Sequence, residues 1–89
     1  MKEQVLDLTL DLPVAEVERM GDRSGEEILN RMRYEADRRA ETAGGRVIET
    51  RLPEIIVRQG RSALLGDMVL VGTRWWLEVP DSFDPADGT

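Results

Sequence analysis

The sequence predicts an α+β domain of order β-α-β-β, in which a three-stranded, mainly antiparallel sheet carries one long helix on one face. Apolar residues recur at every second position near both ends of the chain and at three- and four-residue steps in the middle. The chain has 89 residues, of which 40% are hydrophobic, a size and composition typical of one globular domain. We place this domain at residues 1–80 and predict a flexible acidic tail at residues 81–89.

The first strand is predicted from Gln4 to Leu12. Leucine occupies every second position from Leu6 to Leu12, a spacing typical of a half-buried strand. Pro13 ends it because proline has no N–H for the ladder. A short helix is predicted at residues 14–20, and Gly21-Asp22-Arg23 is predicted to end it.

A long amphipathic helix is predicted from Ser24 to the glycine pair Gly44-Gly45. Ser24 and Glu27 match a capping box at its start, and glycine after the last turn is the usual stop signal. Its predicted inner face narrows from large residues to alanines: Ile28, Leu29, Met32, Ala36, Ala40 and Ala43. The outer face alternates in charge and is predicted to be solvated surface: Glu27, Arg31, Glu35 and Arg39.

Two further strands follow the helix. Residues 46–58 predict a long strand whose apolar face switches near Pro53, which indicates a bulge or an edge-strand kink there. Residues 59–67 are predicted to be the connection, with Ala63-Leu64-Leu65 as a small apolar plug. Residues 68–79 alternate again and predict the last strand, ended by Pro80.

The simplest topology places the last strand between the other two and antiparallel to both, because the crossover through the helix leaves the first two strands parallel. Trp75 and Trp76 then point to opposite faces. Trp75 is predicted to pack under the helix, whereas Trp76 lies on the face that no helix covers. An exposed patch centred on a tryptophan is typical of a surface that binds a partner.

Composition excludes several classes of function. The chain contains neither Cys nor His, so disulfides, zinc sites of the usual kind and a Ser-His-Asp nucleophile are not expected. The net charge of −6 argues against nucleic-acid binding, in which phosphate neutralisation supplies most of the affinity. No run approaches the roughly 18 apolar residues of a membrane span, and the first residues lack the apolar stretch of a signal peptide. We therefore expect a cytoplasmic, non-enzymatic protein without a cofactor.

The candidate binding residues lie on the last strand and around the turn before it. On the open face we predict a patch of Met68, Leu70, Arg74 and Trp76. Arg58 and Arg61 flank the turn and could hold an anion, although arginines at a hairpin tip are more often plain surface. Asp81, Asp84 and Asp87 are spaced like a cation site but lack the turn and the bidentate Glu of a calcium loop, so no metal is predicted.

Three segments of the sequence resemble those of a group of known proteins. They are Leu10-Asp11-Leu12-Pro13 at the end of the first strand, Glu35 to Glu41 in the helix, and Ala43 to Ile48 after it. Together with the closing hairpin they resemble small βαββ proteins encoded by actinobacteriophages. The resemblance implies a virion component or an early protein acting on the host, in the host cytoplasm. The β-α-β-β order is also similar to that of the dodecins, which stack flavin on a tryptophan of the sheet.

Two functions remain open at this point. The first is an interaction protein whose sheet mediates self-association or binds a host or virion protein. The alternative is a small-ligand module in which Trp76 and Arg74 offer a π-face beside a cation to a flavin or a nucleotide.

Overall fold

The computed structural model describes residues 1–82. It consists of four strands and two α-helices, with a short 3-10 turn (Gly21–Arg23) between the helices. The elements are β1 (Lys2–Pro13), α1 (Val14–Met20), α2 (Ser24–Thr42), β2 (Arg46–Val47), β3 (Glu54–Ser62) and β4 (Gly66–Val79). The predicted α+β class and element order are confirmed, but the sheet has four strands instead of three.

β4 is the centre of the sheet. β1 pairs with it antiparallel along its whole length, from Lys2 opposite Val79 to Pro13 opposite Met68. β2 and β3 both pair antiparallel with β4 as well, and they share its other edge because a strand has only two edges. The predicted central position of the last strand is confirmed.

The additional strand results from an interruption in the predicted second strand. β2 ends at Val47, opposite Leu77, and β3 begins at Glu54, opposite Arg74. Six residues of the outer chain, 48–53, therefore lie opposite only two residues of β4, Trp75 and Trp76. The predicted kink at Pro53 is thus a full break in the strand, and the chain leaves the ladder well before the proline.

The core lies between α2 and one face of the sheet. Directly opposite residues of antiparallel strands share a face, so the leucines of β1 line up with alternate residues of β4, such as Leu6 with Trp75. α2 contributes residues at four-residue steps, and the small alanines let its second half lie close to the sheet. The buried apolar cluster consists of Leu8, Leu12, Ile28, Met32, Ala36, Ala40, Val47, Val71, Trp75, Leu77 and Val79.

The two ends of α2 differ in how the free hydrogen-bonding groups of the backbone find partners. At the C-terminus, the N–H of Gly45 donates to the carbonyl of Ala40 at 2.8 Å, and that of Gly44 to the carbonyl of Glu41 at 2.9 Å. This pattern, with Gly44 at φ 81°, is a Schellman motif and confirms the glycine stop. The predicted capping box is wrong: Ser24 has helical φ and ψ, the 3-10 turn leads directly into α2, and the N-cap residue, Arg23, makes no capping hydrogen bond with its side chain.

The connection between β3 and β4 is shorter than predicted. Only residues 63–65 lie outside the two strands, and the N–H groups of Leu64 and Leu65 donate to Ser62 Oγ. Leu64 and Leu65 are 94% and 60% exposed. The predicted apolar plug is wrong, because a three-residue loop at the end of a hairpin has no core to enter.

No helix in the described part of the chain is long and apolar enough to cross a membrane. The predicted tail falls mostly on residues 83–89, which lie outside the described residues, as do Asp84 and Asp87. Asp81 is described, and its carboxylate lies 3.3 Å from the N-terminal amine.

Candidate functional site

The predicted patch is distributed over the face opposite the helices, which we call the open face. Met68, Leu70, Arg74 and Trp76 alternate along β4 and all lie on it, and Arg58 joins them from β3, opposite Leu70. Arg61 does not. It is three residues from Arg58, so it lies on the other face, where it contacts Asp67 at 3.4 Å. The two arginines therefore do not form one anion site.

Trp76 is half-buried on the open face, and its ring is already in contact with a cation. The guanidinium carbon of Arg51 lies 4.2 Å from the ring centroid, within the range of a cation–π interaction. Arg51 also pairs with Glu3 on β1. A flavin or a nucleotide could stack on this side of Trp76 only after Arg51 had moved away.

Arg74 is likewise engaged. Its Nε donates to Asp7 Oδ1 at 2.8 Å and its Nη2 to Oδ2 at 3.2 Å, the two-bond geometry that arginine makes with carboxylates. This hydrogen bonding, opposed by some desolvation, lowers the pKa of Asp7. Glu54 lies opposite Arg74 on the other side of β4. Three side chains thus form a row of alternating charge across β1, β4 and β3.

The two aliphatic side chains of the patch, Met68 and Leu70, are largely covered by other residues of the protein. Met68 is 9% exposed, although it lies outside the helix-side core. Leu70 is half-buried and packs over Gly60, where an added Cβ would lie 3.0 Å from a leucine methyl. On the open face, the predicted patch therefore combines covered apolar side chains with charged side chains that are already paired.

A run of three exposed apolar residues lies on β3, within a strand and not in a hairpin loop. Ile55, Ile56 and Val57 are 50%, 56% and 63% exposed. Ile55 and Val57 lie opposite Thr73 and Val71 and thus on the helix side, whereas Ile56 lies on the open face. Within residues 1–82, β3 pairs only with β4, so its outer edge presents unpaired backbone groups. We call Glu54–Arg58, which includes this apolar run, the β3 edge.

A shallow apolar groove adjoins the β3 edge on the helix side. It has a volume of about 280 Å³ and exists because α2 covers β1 and β4 but leaves β3 uncovered. One wall is formed by the helices and the other by the sheet: Val17, Ile28, Leu29 and Met32 face Ile55, Val57, Val69 and Val71.

The β3 edge is not among the sites predicted from the sequence. The signal was present, because three consecutive apolar residues give a strand two apolar faces, and one helix covers only one face of a sheet. Arg51 was also missed, and no local pattern marks it, since its position over Trp76 depends on the path of residues 48–53.

Comparison of the chain with protein-family models, with characterised proteins and with solved structures finds no match. In the part of the chain that the structure describes, no three Asp or Glu residues come together as metal ligands. The β3 edge and the open face are the two surfaces of the described chain that carry candidate binding residues.

Proposed function

We propose that this chain is a non-enzymatic interaction protein that binds another polypeptide along the β3 edge. One observation carries the proposal: an edge strand presents three consecutive exposed apolar residues, Ile55 to Val57. Natural proteins usually protect such edges with charges, proline or covering segments. An uncovered apolar edge is typical of a strand that acquires a neighbour.

The proposed binding mode is addition of a strand. An extended segment of the partner would pair its backbone with β3, and its alternate side chains would lie beside Ile55 and Val57 on the helix side. The groove beside these residues offers an apolar surface to long side chains of the added strand. Backbone pairing would supply affinity, and the apolar positions would supply selectivity.

The open face is a less suitable binding surface than the β3 edge. Its central aromatic residue, Trp76, contacts Arg51, and its cation, Arg74, is held by Asp7. Binding there would require these pairs to be broken, whereas binding at β3 covers side chains that are exposed. The partner is a second copy of the chain or, as the resemblance to actinobacteriophage proteins implies, a host or virion protein, with the host cytoplasm as the compartment.

Peptides selected from a random library against the folded protein test the proposal, with affinity measured by calorimetry. We expect Val57→Lys to weaken binding at least about tenfold, because it places a charge at the apolar edge. Val5→Lys is the matched control: Val5 is 45% exposed and lies opposite Trp76 on the open face. Trp76→Ala should also leave binding intact.

The opposite pattern would overturn the proposal. If Val5→Lys or Trp76→Ala abolished binding while Val57→Lys preserved it, the site would lie on the open face. Circular dichroism of each variant confirms that only folded proteins are compared.

A further inference from the structure

The β3 edge is complementary to itself. Residues 54–58 read Glu-Ile-Ile-Val-Arg, with an acid at one end, a base at the other and apolar residues between. When two such segments run antiparallel with Ile56 opposite Ile56, each Glu54 lies opposite the other copy's Arg58. Each Ile55 then lies opposite the other copy's Val57.

We propose that the polypeptide bound at the β3 edge is a second copy of this chain, paired antiparallel about a two-fold axis through Ile56. The inference rests on the proposed function and names its partner. A symmetric contact of this kind closes on itself, because the same edge serves both copies. The result is a dimer with one continuous sheet.

The faces of the two sheets match in this register. Residues 54, 56 and 58 lie on the open face and residues 55 and 57 on the helix side, and directly opposite residues share a face. The helices of both copies therefore lie on the same side of the joined sheet. Four side chains, Ile55 and Val57 from each copy, form an apolar strip between the two grooves.

The charges favour the same register. Within one copy, the row across the sheet runs Asp7, Arg74, Glu54, so the acid at its outer end faces the edge. Pairing about Ile56 places Arg58 of the second copy next in that row, which continues the alternation of charge. The two-fold axis repeats this contact, so the interface contains two opposite-charge pairs.

Other registers lose these matches. Pairing about Arg58 places two arginines opposite each other and sets Ile55 against Arg61. Pairing about Val57 sets Ile56 against Arg58. A register that sets Ile56 opposite Val57 would place the open face of one copy on the same side as the helix side of the other. Only the register through Ile56 pairs apolar with apolar and acid with base.

Charge reversal at the two ends of the segment tests the dimer. The mass of the wild-type chain, measured by sedimentation over a range of concentrations, should rise from 10.1 kDa to twice that value. Glu54→Arg or Arg58→Glu alone brings like charges together at both ends, and each should weaken self-association at least about tenfold. The double variant restores the pairs and should dimerise again.

Mixing the two single variants makes the test specific for the register. Glu54→Arg carries two bases at the edge and Arg58→Glu two acids, so the pair should form a mixed dimer although neither forms its own. Recovery on mixing also shows that each variant is folded. Glu18→Arg and Arg23→Glu, at exposed positions outside the sheet, are the charge-matched controls and should dimerise like the wild type.

Three results would overturn the inference: a wild-type chain that stays at 10.1 kDa at every concentration, a dimer insensitive to both single reversals, or single variants that stay monomeric when mixed. The proposed function fails separately. If library peptides bind the β3 edge while the wild type remains monomeric, strand addition stands and the partner is another protein.

Discussion

Arg51 places its guanidinium carbon 4.2 Å from the centre of the Trp76 ring. The same side chain pairs with Glu3 on β1, so it joins the segment between β2 and β3 to the far edge of the sheet. Within the segment that leaves the ladder, the side chain of Arg51 thus reaches across the open face.

Arg51→Ala should expose Trp76 and leave the fold intact. We expect stronger quenching of tryptophan fluorescence by iodide, because Trp75 is buried and the gain in access comes from Trp76. The loss of stability should be about 1 kcal/mol or less, the range of an exposed cation–π pair. Glu3→Gln keeps the guanidinium present and should give a smaller change. Unchanged quenching in Arg51→Ala would contradict the contact.

The Asp7–Arg74 pair predicts a pH-dependent contribution to stability. Because the pKa of Asp7 is lowered in the folded chain, its contribution is complete above the ordinary value of 3.8 and is lost as the pH falls through the lower folded value. Asp7→Asn should therefore be less stable than the wild type at neutral pH, and the gap should close in acid. Urea titrations at several pH values measure it.

Asp11→Asn is the control for that titration. Asp11 lies on the same face of β1, opposite Leu70 instead of an arginine. A gap for Asp7→Asn that stayed constant down to the acid end would show that the ion pair is not its source.

Thr73 and Trp75 should be energetically coupled. Trp75 Nε1 donates to Thr73 Oγ1 at 2.8 Å, and the hydroxyl in turn donates to Met32 Sδ at 3.7 Å. Thr73→Val keeps the shape but leaves the buried indole N–H without its acceptor, which costs about 1–3 kcal/mol. In a Trp75→Phe background the same change should cost much less. Equal costs in both backgrounds would rule out the coupling.

Gly45 should tolerate no side chain. A Cβ at this position would overlap the carbonyl oxygen of Glu78 and lie 2.8 Å from the carbonyl carbon, and neither backbone atom can move without disturbing β4. Gly45→Ala should lower the free energy of unfolding by about 3 kcal/mol, at the upper end of overpacking effects. Gly25→Ala, in the first turn of α2, adds a Cβ that meets none of the described residues within 4 Å beyond its own helix, and should be neutral or stabilising in thermal melts.

Ser24→Ala should have almost no effect on the melting temperature. Ser24 makes no cap and lies inside the helical segment, where alanine is the better helix former by about 0.5 kcal/mol. Gly44→Ala, at the left-handed position that ends α2, should cost about 1 kcal/mol. A clearly lower melting temperature in Ser24→Ala would indicate that Ser24 does cap the helix.

The sequence predicts the fold well where one periodicity dominates. β1, α2 and β4 each show a single clear spacing, so their positions, their buried faces and the opposite orientations of Trp75 and Trp76 follow directly. Prediction is weakest for residues 48–65. There, the three consecutive apolar residues Ile55 to Val57 do not show the alternation of a strand with one buried face. The sequence also contains no signal for the length of the interruption between β2 and β3.

The candidate site follows the same division. The residues of the open face could be assigned from alternation along β4, but their partners could not, because Asp7 and Arg51 are brought there by pairing of distant segments. Leu64 and Leu65 show the converse problem. Their composition suggests burial, whereas a tight hairpin leaves them at its exposed tip.

The pairing of β1 with β4 also has a kinetic consequence. Ser62 and Gly66 are close in sequence, so the β3–β4 hairpin can form as soon as its own residues are available, whereas Lys2 and Val79 meet only when nearly the whole chain has been looped back. Local contacts form quickly and distant ones slowly. During synthesis on the ribosome, β1 must therefore wait without a strand to pair with until β4 has emerged, and in that interval its four leucines depend on the two helices for cover.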